Sequence, residues 1–309
     1  MYLNNQKISI VGGGLVGSLL SIYLTKQGAK VSVFDKRNDI RLDKDGAGRS
    51  INLALSNRGM QALEKVGVLS DIMKISMPMY KRIMHAVNGD LTHQFYGKRE
   101  QAIYSVSRHI LNAKLIDLAE RNSVNFSFQK ECSGIDIHTS KLYFHDEDSL
   151  QCDFIFGCDG AGSIIRKGMC SSFSDFNVFE ELIDHGYKEL MIPANSDGTH
   201  KLSKDALHIW PRKSYMVIAL PNLDGTFTCT LFAPIKGANS FESLANHSDV
   251  ENFFTKNFFD LKQIIPDLAD QYFKNPLGAL GFISTSSWKK KNTFLIGDSC
   301  HATIPFYGQ

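Results

Sequence analysis

At 309 residues the chain can bury a large core and hold one or two domains. Its composition, 43% hydrophobic and 21% charged, is that of a soluble globular protein, and a net charge of +2 with no long basic run argues against a nucleic-acid binder. No apolar run reaches the ~20 residues of a spanning helix, and residues 1–7 are too short and polar for a signal peptide, so a cytoplasmic protein without a membrane segment is expected.

Residues 8–11 read as a short buried strand. Residues 15–27 read as a helix, with Leu15, Leu19, Ile22 and Tyr23 at helical spacing and Gly28 as its stop. Val31 and Val33 alternate through a second strand at 30–34, which makes a βαβ unit and implies parallel pairing. A second helix spans 57–66, and Ser107 can cap a third that carries Ile110, Leu111, Leu115 and Leu118. Val124, Phe126 and Phe128 alternate as a strand, and 142–144 and 154–157 read as further strands. The character changes near residue 179. Residues 214–220 and 226–232 form two β runs joined by Pro221-Asn222-Leu223-Asp224-Gly225, a hairpin signal. Residues 241–273 are rich in Phe and mostly helical in pattern, and a strand returns at 293–296 ahead of Gly297-Asp298. The fold class is therefore α/β, a cofactor domain interrupted by a sheet-based substrate domain.

Gly12, Gly14 and Gly17 fit G-x-G-x-x-G between strand and helix. Gly12 permits the tight turn, Gly14 lets the backbone approach a pyrophosphate, and Gly17 lets helix pack on strand. The helix N-terminus adds free N–H groups and a partial positive charge. Asp35 ends the second strand, where a carboxylate can accept bonds from ribose hydroxyls. Asp298 favours FAD over NAD, because an acid after a late apolar strand suits a flavin's ribityl and pyrophosphate region. The alternative for Asp298 is a helix cap or turn residue. The six cysteines show no CxxC or zinc spacing, so idle buried thiols and no metal site are expected.

These residues resemble the flavin-dependent aromatic hydroxylases, the family typified by para-hydroxybenzoate hydroxylase. Three motifs carry the resemblance: the glycine fingerprint, Cys158-Asp159-Gly160-Ala161 with Ser163 and Arg166, and Gly297-Asp298-Ser299-Cys300-His301 leading to Pro305. The runs 48–56, 105–108, 207–212, 227–232 and 304–309 are similar to the family's kynurenine-hydroxylating branch. The resemblance implies a Rossmann-like FAD-binding domain with an inserted, mainly antiparallel β-sheet substrate domain. Segments 1–70, 98–178 and 289–309 would form the first, and 71–97 and 179–288 the second. It also implies hydroxylation of L-kynurenine to 3-hydroxykynurenine through a flavin C4a-hydroperoxide, with FAD as cofactor and NADPH and O2 as co-substrates. An FAD monooxygenase acting on another aromatic acid, or an inactive flavin-binding fragment, is the alternative.

The flavin carries the chemistry in such a family, so no catalytic side chain is expected. By resemblance, Arg82 and Tyr96 grip the substrate carboxylate, a role suited to a bidentate guanidinium and a phenol. Their bland alternatives are a solvated charge and a rim residue. Arg108 would contact FAD. Asp35 and Arg37 match its adenosine end, with Val16, Phe34 and Ala54 as flanking contacts and Cys132 as the least secure of the set. Asp159 would touch both FAD and NADPH, although Asp-Gly also favours a plain turn. Pro305, Phe306, Tyr307 and Gln309 would shape a dry pocket over the flavin ring. His85 and His301 are read as packing or loop-fixing residues rather than general bases. In the family the final run continues into Gly-Met-Asn and a C-terminal helical region bearing an Asn and a Tyr that bind substrate. With that region outside the sequence, weak FAD binding and poor turnover are expected of the 309-residue chain.

Overall fold

The βαβ unit forms where the sequence places it. Lys7–Val11 leads into the helix Leu15–Lys26, and Lys30–Phe34 returns parallel to the first strand with Ile10 beside Val33. The computed structural model describes residues 3–43, 51–98, 100–304 and 306. Gly48 to Ser50, Pro305, Tyr307 and Gln309 lie outside the described residues.

Among the described residues one sheet has six strands, in the order Lys289–Lys290, Thr293–Leu295, Phe154–Gly157, Lys7–Val11, Lys30–Phe34 and Asn125–Ser127. All its pairings are parallel except that of the edge strand Lys289–Lys290. Its strands bury Ile8, Ile10, Val31 and Val33 against Ile22 of the first helix and Leu111, Leu115 and Leu118 of Arg108–Arg121. Ser107 caps that second helix, its Oγ accepting from Ile110 N at 3.5 Å. The strand expected at 124–128 is shorter, Asn125–Ser127.

A second sheet has seven strands, in the order Gly278–Thr285, Val178–Ile192, Phe227–Pro234, Tyr215–Pro221, Ala206–Arg212, Lys81–His85 and Leu91–Phe95. It is antiparallel apart from the parallel pairing of Ala206–Arg212 with Lys81–His85. The hairpin expected at 214–232 lies at its centre, as Tyr215–Pro221 and Phe227–Pro234. The Phe-rich run makes three helices, His247–Asn257, Phe259–Lys262 and Leu268–Lys274, with Pro266 in the last gap. These helices cover one face of the sheet, burying Trp210, Phe227, Phe254 and Phe258 completely. The other face carries Leu207, Ile218, Leu220 and Phe232 and meets Ala54 and Met79. The last two sit on a small sheet of Asn52–Leu55, Ile103–Ser107 and Met77–Met79. Met77–Met79, in the segment given to the substrate side by sequence, therefore hydrogen-bonds to the strand that runs into the Arg108 helix.

A polar cluster is buried between the large sheet and its helices. His85 Nδ1 lies 2.7 Å from Asp260 Oδ2 and its Nε2 lies 2.9 Å from His208 Nδ1, while its ring stacks on Trp210 at 4.0 Å. Trp210 Nε1 donates to the same Asp260 oxygen at 2.8 Å. His85 is thus a packing residue that fastens a strand to a helix. His301 is exposed against the Trp288 ring. Five of the six cysteines are buried, and Cys170 is exposed.

The long strand Val178–Ile192 carries Glu189, whose burial pushes its carboxyl up to about 7 against the opposing pull of the Arg108 guanidinium. Its ordinary value is 4.5, so the fold is penalised as pH rises from 4.5 and the penalty is complete above about 7. Glu189→Gln removes it. The variant is expected to match wild type in unfolding free energy at pH 4 and to exceed it at pH 8 by about 1–2 kcal/mol, a figure discounted for partial exposure. Thermal melts across that range check this.

Candidate functional site

The glycine turn is fixed by close backbone contacts. Gly12 has φ +103°, and a Cβ there would lie 2.3 Å from Cys158 O. A Cβ on Gly17 would lie 1.9 Å from Gly12 O, so only glycine lets the helix settle on the turn. Gly13 is held from both sides: its N–H donates to Asp35 Oδ2 at 2.8 Å, and its carbonyl accepts from Ser18 Oγ and Asn112 Nδ2, each at 3.2 Å. Gly14 differs. The atom nearest to its missing Cβ is Arg37 Nη2 at 4.0 Å, so the cradle stays open at the helix N-terminus.

This turn opens on a cavity of about 450 Å³. Gly12, Gly14, Phe34, Asp35, Arg37, Arg108, Cys132 and Asp159 all line it, so one wall gathers eight of the residues that sequence put at the cofactor. Val16 and Asp298 come together elsewhere. Gly297 has φ +74°, and a Cβ on it would meet Val16 Cγ2 at 2.9 Å, so the turn before Asp298 rests on the first turn of the helix. Ala54 is buried away from this cavity, in the core it shares with Ile218 and Phe232.

Asp35 is more engaged than a free ribose acceptor would be. One carboxylate oxygen accepts from Arg37 N and Nε, and the other from Gly13 N and Arg37 Nη2. Burial works against its charge, but the Arg37 bonds outweigh that and hold the carboxyl below its usual range. Asp159 is the reverse case. Its Oδ2 caps the helix Ile164–Ser172 by accepting from Ile164 N at 2.7 Å and Ile165 N at 3.3 Å. Its Oδ1 is buried with no partner, and burial raises its carboxyl. An orphaned acceptor oxygen at this wall fits a cofactor hydroxyl, which would donate to it. Lys36, Lys130 and Lys167 also line the cavity, unforeseen by sequence. Lys130 is paired with Asp146 and Asp148, while Lys36, Arg108 and Lys167 form no ion pair among the described residues. That surplus of cations and the open Gly14 suit a dinucleotide's diphosphate.

A second cavity, about 920 Å³, lies against the seven-stranded sheet. Arg82 and Tyr96 both line it, with Met84, Ile103, Leu207, Ile209, Ile218 and Phe232. Arg82 Nε donates to Gln94 Oε1 at 2.7 Å, and among the described residues its two Nη groups are unused. Burial pushes the Tyr96 phenol up to about 12, against Arg82, so it stays a donor across the neutral range. Phe306 reaches this wall and sits edge-on to Phe232 at 5.3 Å. The apolar walls were missed by sequence, although the alternation of 206–212 carries the signal: Leu207, Ile209 and Pro211 line the cavity, while His208 and Trp210 pack beneath.

Among the described residues no His, Cys, Asp or Glu cluster could hold a metal ion, and no helix is long and apolar enough to cross a membrane.

Comparison with known proteins bears on the family and the fold. The family described as "FAD binding domain" matches residues 5–224. The kynurenine 3-monooxygenase of Flavobacterium johnsoniae is 50% identical over 98% of the chain, which spans 69% of that protein's length. The enzyme of that name from Dictyostelium discoideum is 41% identical over 99% of the chain and 67% of its own length. Among solved structures, 2-methyl-3-hydroxypyridine-5-carboxylic acid oxygenase superposes with a TM-score of 0.80 at 21% identity, covering 99% of this chain and 78% of that one. Klebsiella pneumoniae HpxO, solved with FAD, gives 0.80 at 17%, covering 99% and 77%. Those two likenesses show the fold. The sequence relatives show more: the chain belongs to the FAD-dependent kynurenine 3-monooxygenase family.

Proposed function

We infer that the chain hydroxylates L-kynurenine at the ring carbon ortho to the aniline amine, giving 3-hydroxykynurenine, with FAD as cofactor and NADPH and O2 as co-substrates. One observation carries the substrate reading. A guanidinium with unused Nη donors and a protonated phenol open on one cavity whose remaining lining is mostly apolar, with His185, Arg212, Lys213, Ser214 and Tyr215 as its other polar members. That pairing suits a ligand with a carboxylate at one end and an aromatic ring at the other. Its volume lies within the roughly 300–1,000 Å³ of ordinary ligand sites.

FAD, when bound, passes electrons from NADPH to O2 and supplies the activated oxygen. The residues do the rest. Gly14 and the helix N-terminus accept the diphosphate, with Arg108, Lys36 and Lys167 supplying charge. Asp35 and Arg37 hold the adenosine end, beside Phe34 and Cys132. Asp159 offers its unpartnered Oδ1, Val16 and Ala54 are flanking contacts by resemblance, and Asp298 serves the ribityl and pyrophosphate region. Arg82 and Tyr96 orient the substrate carboxylate, and Phe306 on Phe232 keeps water from the ring. Pro305, Tyr307 and Gln309 belong to the same proposed pocket by sequence. The assignment of 1–70, 98–178 and 289–309 to cofactor and of 71–97 and 179–288 to substrate is part of this reading. Activity in the cytoplasm belongs to it as well.

Rapid mixing of the holoenzyme with NADPH tests the function. Kynurenine is expected to accelerate flavin bleaching, and acceleration by a different aromatic acid alone would overturn the substrate. Arg82→Ala is expected to raise KM for kynurenine about 100-fold, near 3 kcal/mol, with a much smaller change in kcat. Tyr96→Phe should cost about 1 kcal/mol in the same measurement.

Gly14 gives a cleaner test of the cradle. A Cβ there meets no protein atom closer than 4.0 Å, so Gly14→Ala should melt within a few degrees of wild type. The same methyl enters the proposed diphosphate seat, and FAD affinity should fall by about tenfold or more, read by flavin fluorescence quenching. Gly17→Ala should instead lower the melting temperature, because its Cβ strikes Gly12 O.

A further inference from the structure

Asn52 is buried, at 5% exposure, and begins the strand that carries Ala54. Its Nδ2 donates to Ser105 Oγ at 3.0 Å inside the small sheet and to Asn222 Oδ1 at 2.6 Å across to the large one. Its Oδ1 accepts from Thr228 Oγ1 at 3.3 Å. Asn222 Nδ2 in turn donates to Thr226 Oγ1 at 2.9 Å and Thr228 Oγ1 at 3.1 Å. Asn52 Nδ2 also reaches Pro221 O at 3.5 Å, so every polar atom of the side chain is used and three of its partners, Pro221, Asn222 and Thr228, lie on the central hairpin of the large sheet.

That hairpin also builds the substrate cavity, to which its strands contribute Met216, Ile218 and Phe232. Two residues along from Asn52, Ala54 is 2% exposed and packs in one core with Ile218 and Phe232. Residues i and i+2 of a strand share a face, so the amide bridge and the Ala54 contact act on the same side. The bridge is directional, whereas the apolar contact alone would tolerate sliding.

We propose that Asn52 is a positioning residue: its bridge to Asn222 and Thr228 fixes the register of the Ala54 strand against the substrate wall, and so decides whether activated oxygen reaches the substrate. This rests on the proposed function, in which FAD supplies the activated oxygen and the cavity walled by Ile218 and Phe232 holds the substrate. The coupled reaction is L-kynurenine + NADPH + H+ + O2 giving 3-hydroxykynurenine + NADP+ + H2O. The uncoupled one is NADPH + H+ + O2 giving NADP+ + H2O2. Small misplacements of a reacting centre cost about 100-fold in rate, so a loosened register should favour the second.

The test is the ratio of 3-hydroxykynurenine formed to NADPH oxidised in the holoenzyme and its variants, with FAD affinity by fluorescence and melting temperature measured alongside. Asn52→Ala and Asn222→Ala are each expected to lower the ratio ~3-fold or more, with peroxide making up the difference and FAD affinity within ~3-fold of wild type. The double variant should be no worse than the poorer single, because one bridge is lost in each case. Asn222→Asp keeps the acceptor for Asn52 Nδ2 and should remain coupled. Thr228→Val preserves shape and removes two bonds, those of its hydroxyl with Asn52 Oδ1 and Asn222 Nδ2, so it decides the matter should Asn52→Ala fail to fold, and it too should release more peroxide. An unchanged ratio in Thr228→Val and in any folded alanine variant, with only melting temperature reduced, would overturn the proposal, as would additive losses in the double. A wild-type holoenzyme whose NADPH oxidation ignores kynurenine would overturn the functional reading and this proposal with it.

Discussion

The approach of Gly17 to the carbonyl of Gly12 is the constraint from which the cofactor side follows. A Cβ at Gly17 would stand 1.9 Å from that oxygen, inside any tolerable contact. Without it the helix Leu15–Lys26 starts directly on the end of Lys7–Val11. The turn is then short enough for Asp35, at the end of the neighbouring strand, to hold the Gly13 N–H. The same shortness leaves Gly14 facing open space. The glycines are therefore not interchangeable: Gly12 and Gly17 are excluded from bearing a side chain by protein atoms, whereas Gly14 faces open space.

The large sheet works on two faces. Beneath it, Phe254, Phe258 and Trp210 form an apolar layer pinned by the Asp260, His85 and His208 cluster. Above it, the walls of the cavity stay open between strands whose undersides are fully buried. A strand such as Ala206–Arg212 can present Leu207 and Ile209 to a ligand because His208 and Trp210 already anchor it from behind. A rigid underside is what allows an apolar surface of this size to remain uncollapsed.

Local chemistry made the βαβ unit, the Ser107 cap and the central hairpin readable, since glycine spacing, a capping hydroxyl and an Asn-Leu-Asp-Gly turn each act within a few residues. The strand Val178–Ile192 was not readable. Glu180, Glu181, Lys188 and Glu189 are poor strand formers, and its partners Phe227–Pro234 and Gly278–Thr285 lie far along the chain. Pairing in three dimensions overrode local preference there. The cofactor wall divides in the same way. Its glycines and Asp35 announce themselves by spacing, but Lys36, Lys130 and Lys167 meet only because of the strand order, which no single stretch encodes. Arg82, an exposed residue beside Lys81, looks like any surface cation, and resemblance to a family was needed to single it out.

The buried cysteines have a chemical consequence in a flavin-dependent monooxygenase family. Cys132 and Cys158 line the cofactor cavity, and burial pushes the first up to about 11 and the second higher still. Cys300, just past Asp298, is likewise raised to about 11. Peroxide attacks the thiolate, the form these sulfurs scarcely adopt at neutral pH. Burial thereby keeps these sulfurs chemically quiet, whereas Cys170 lies exposed.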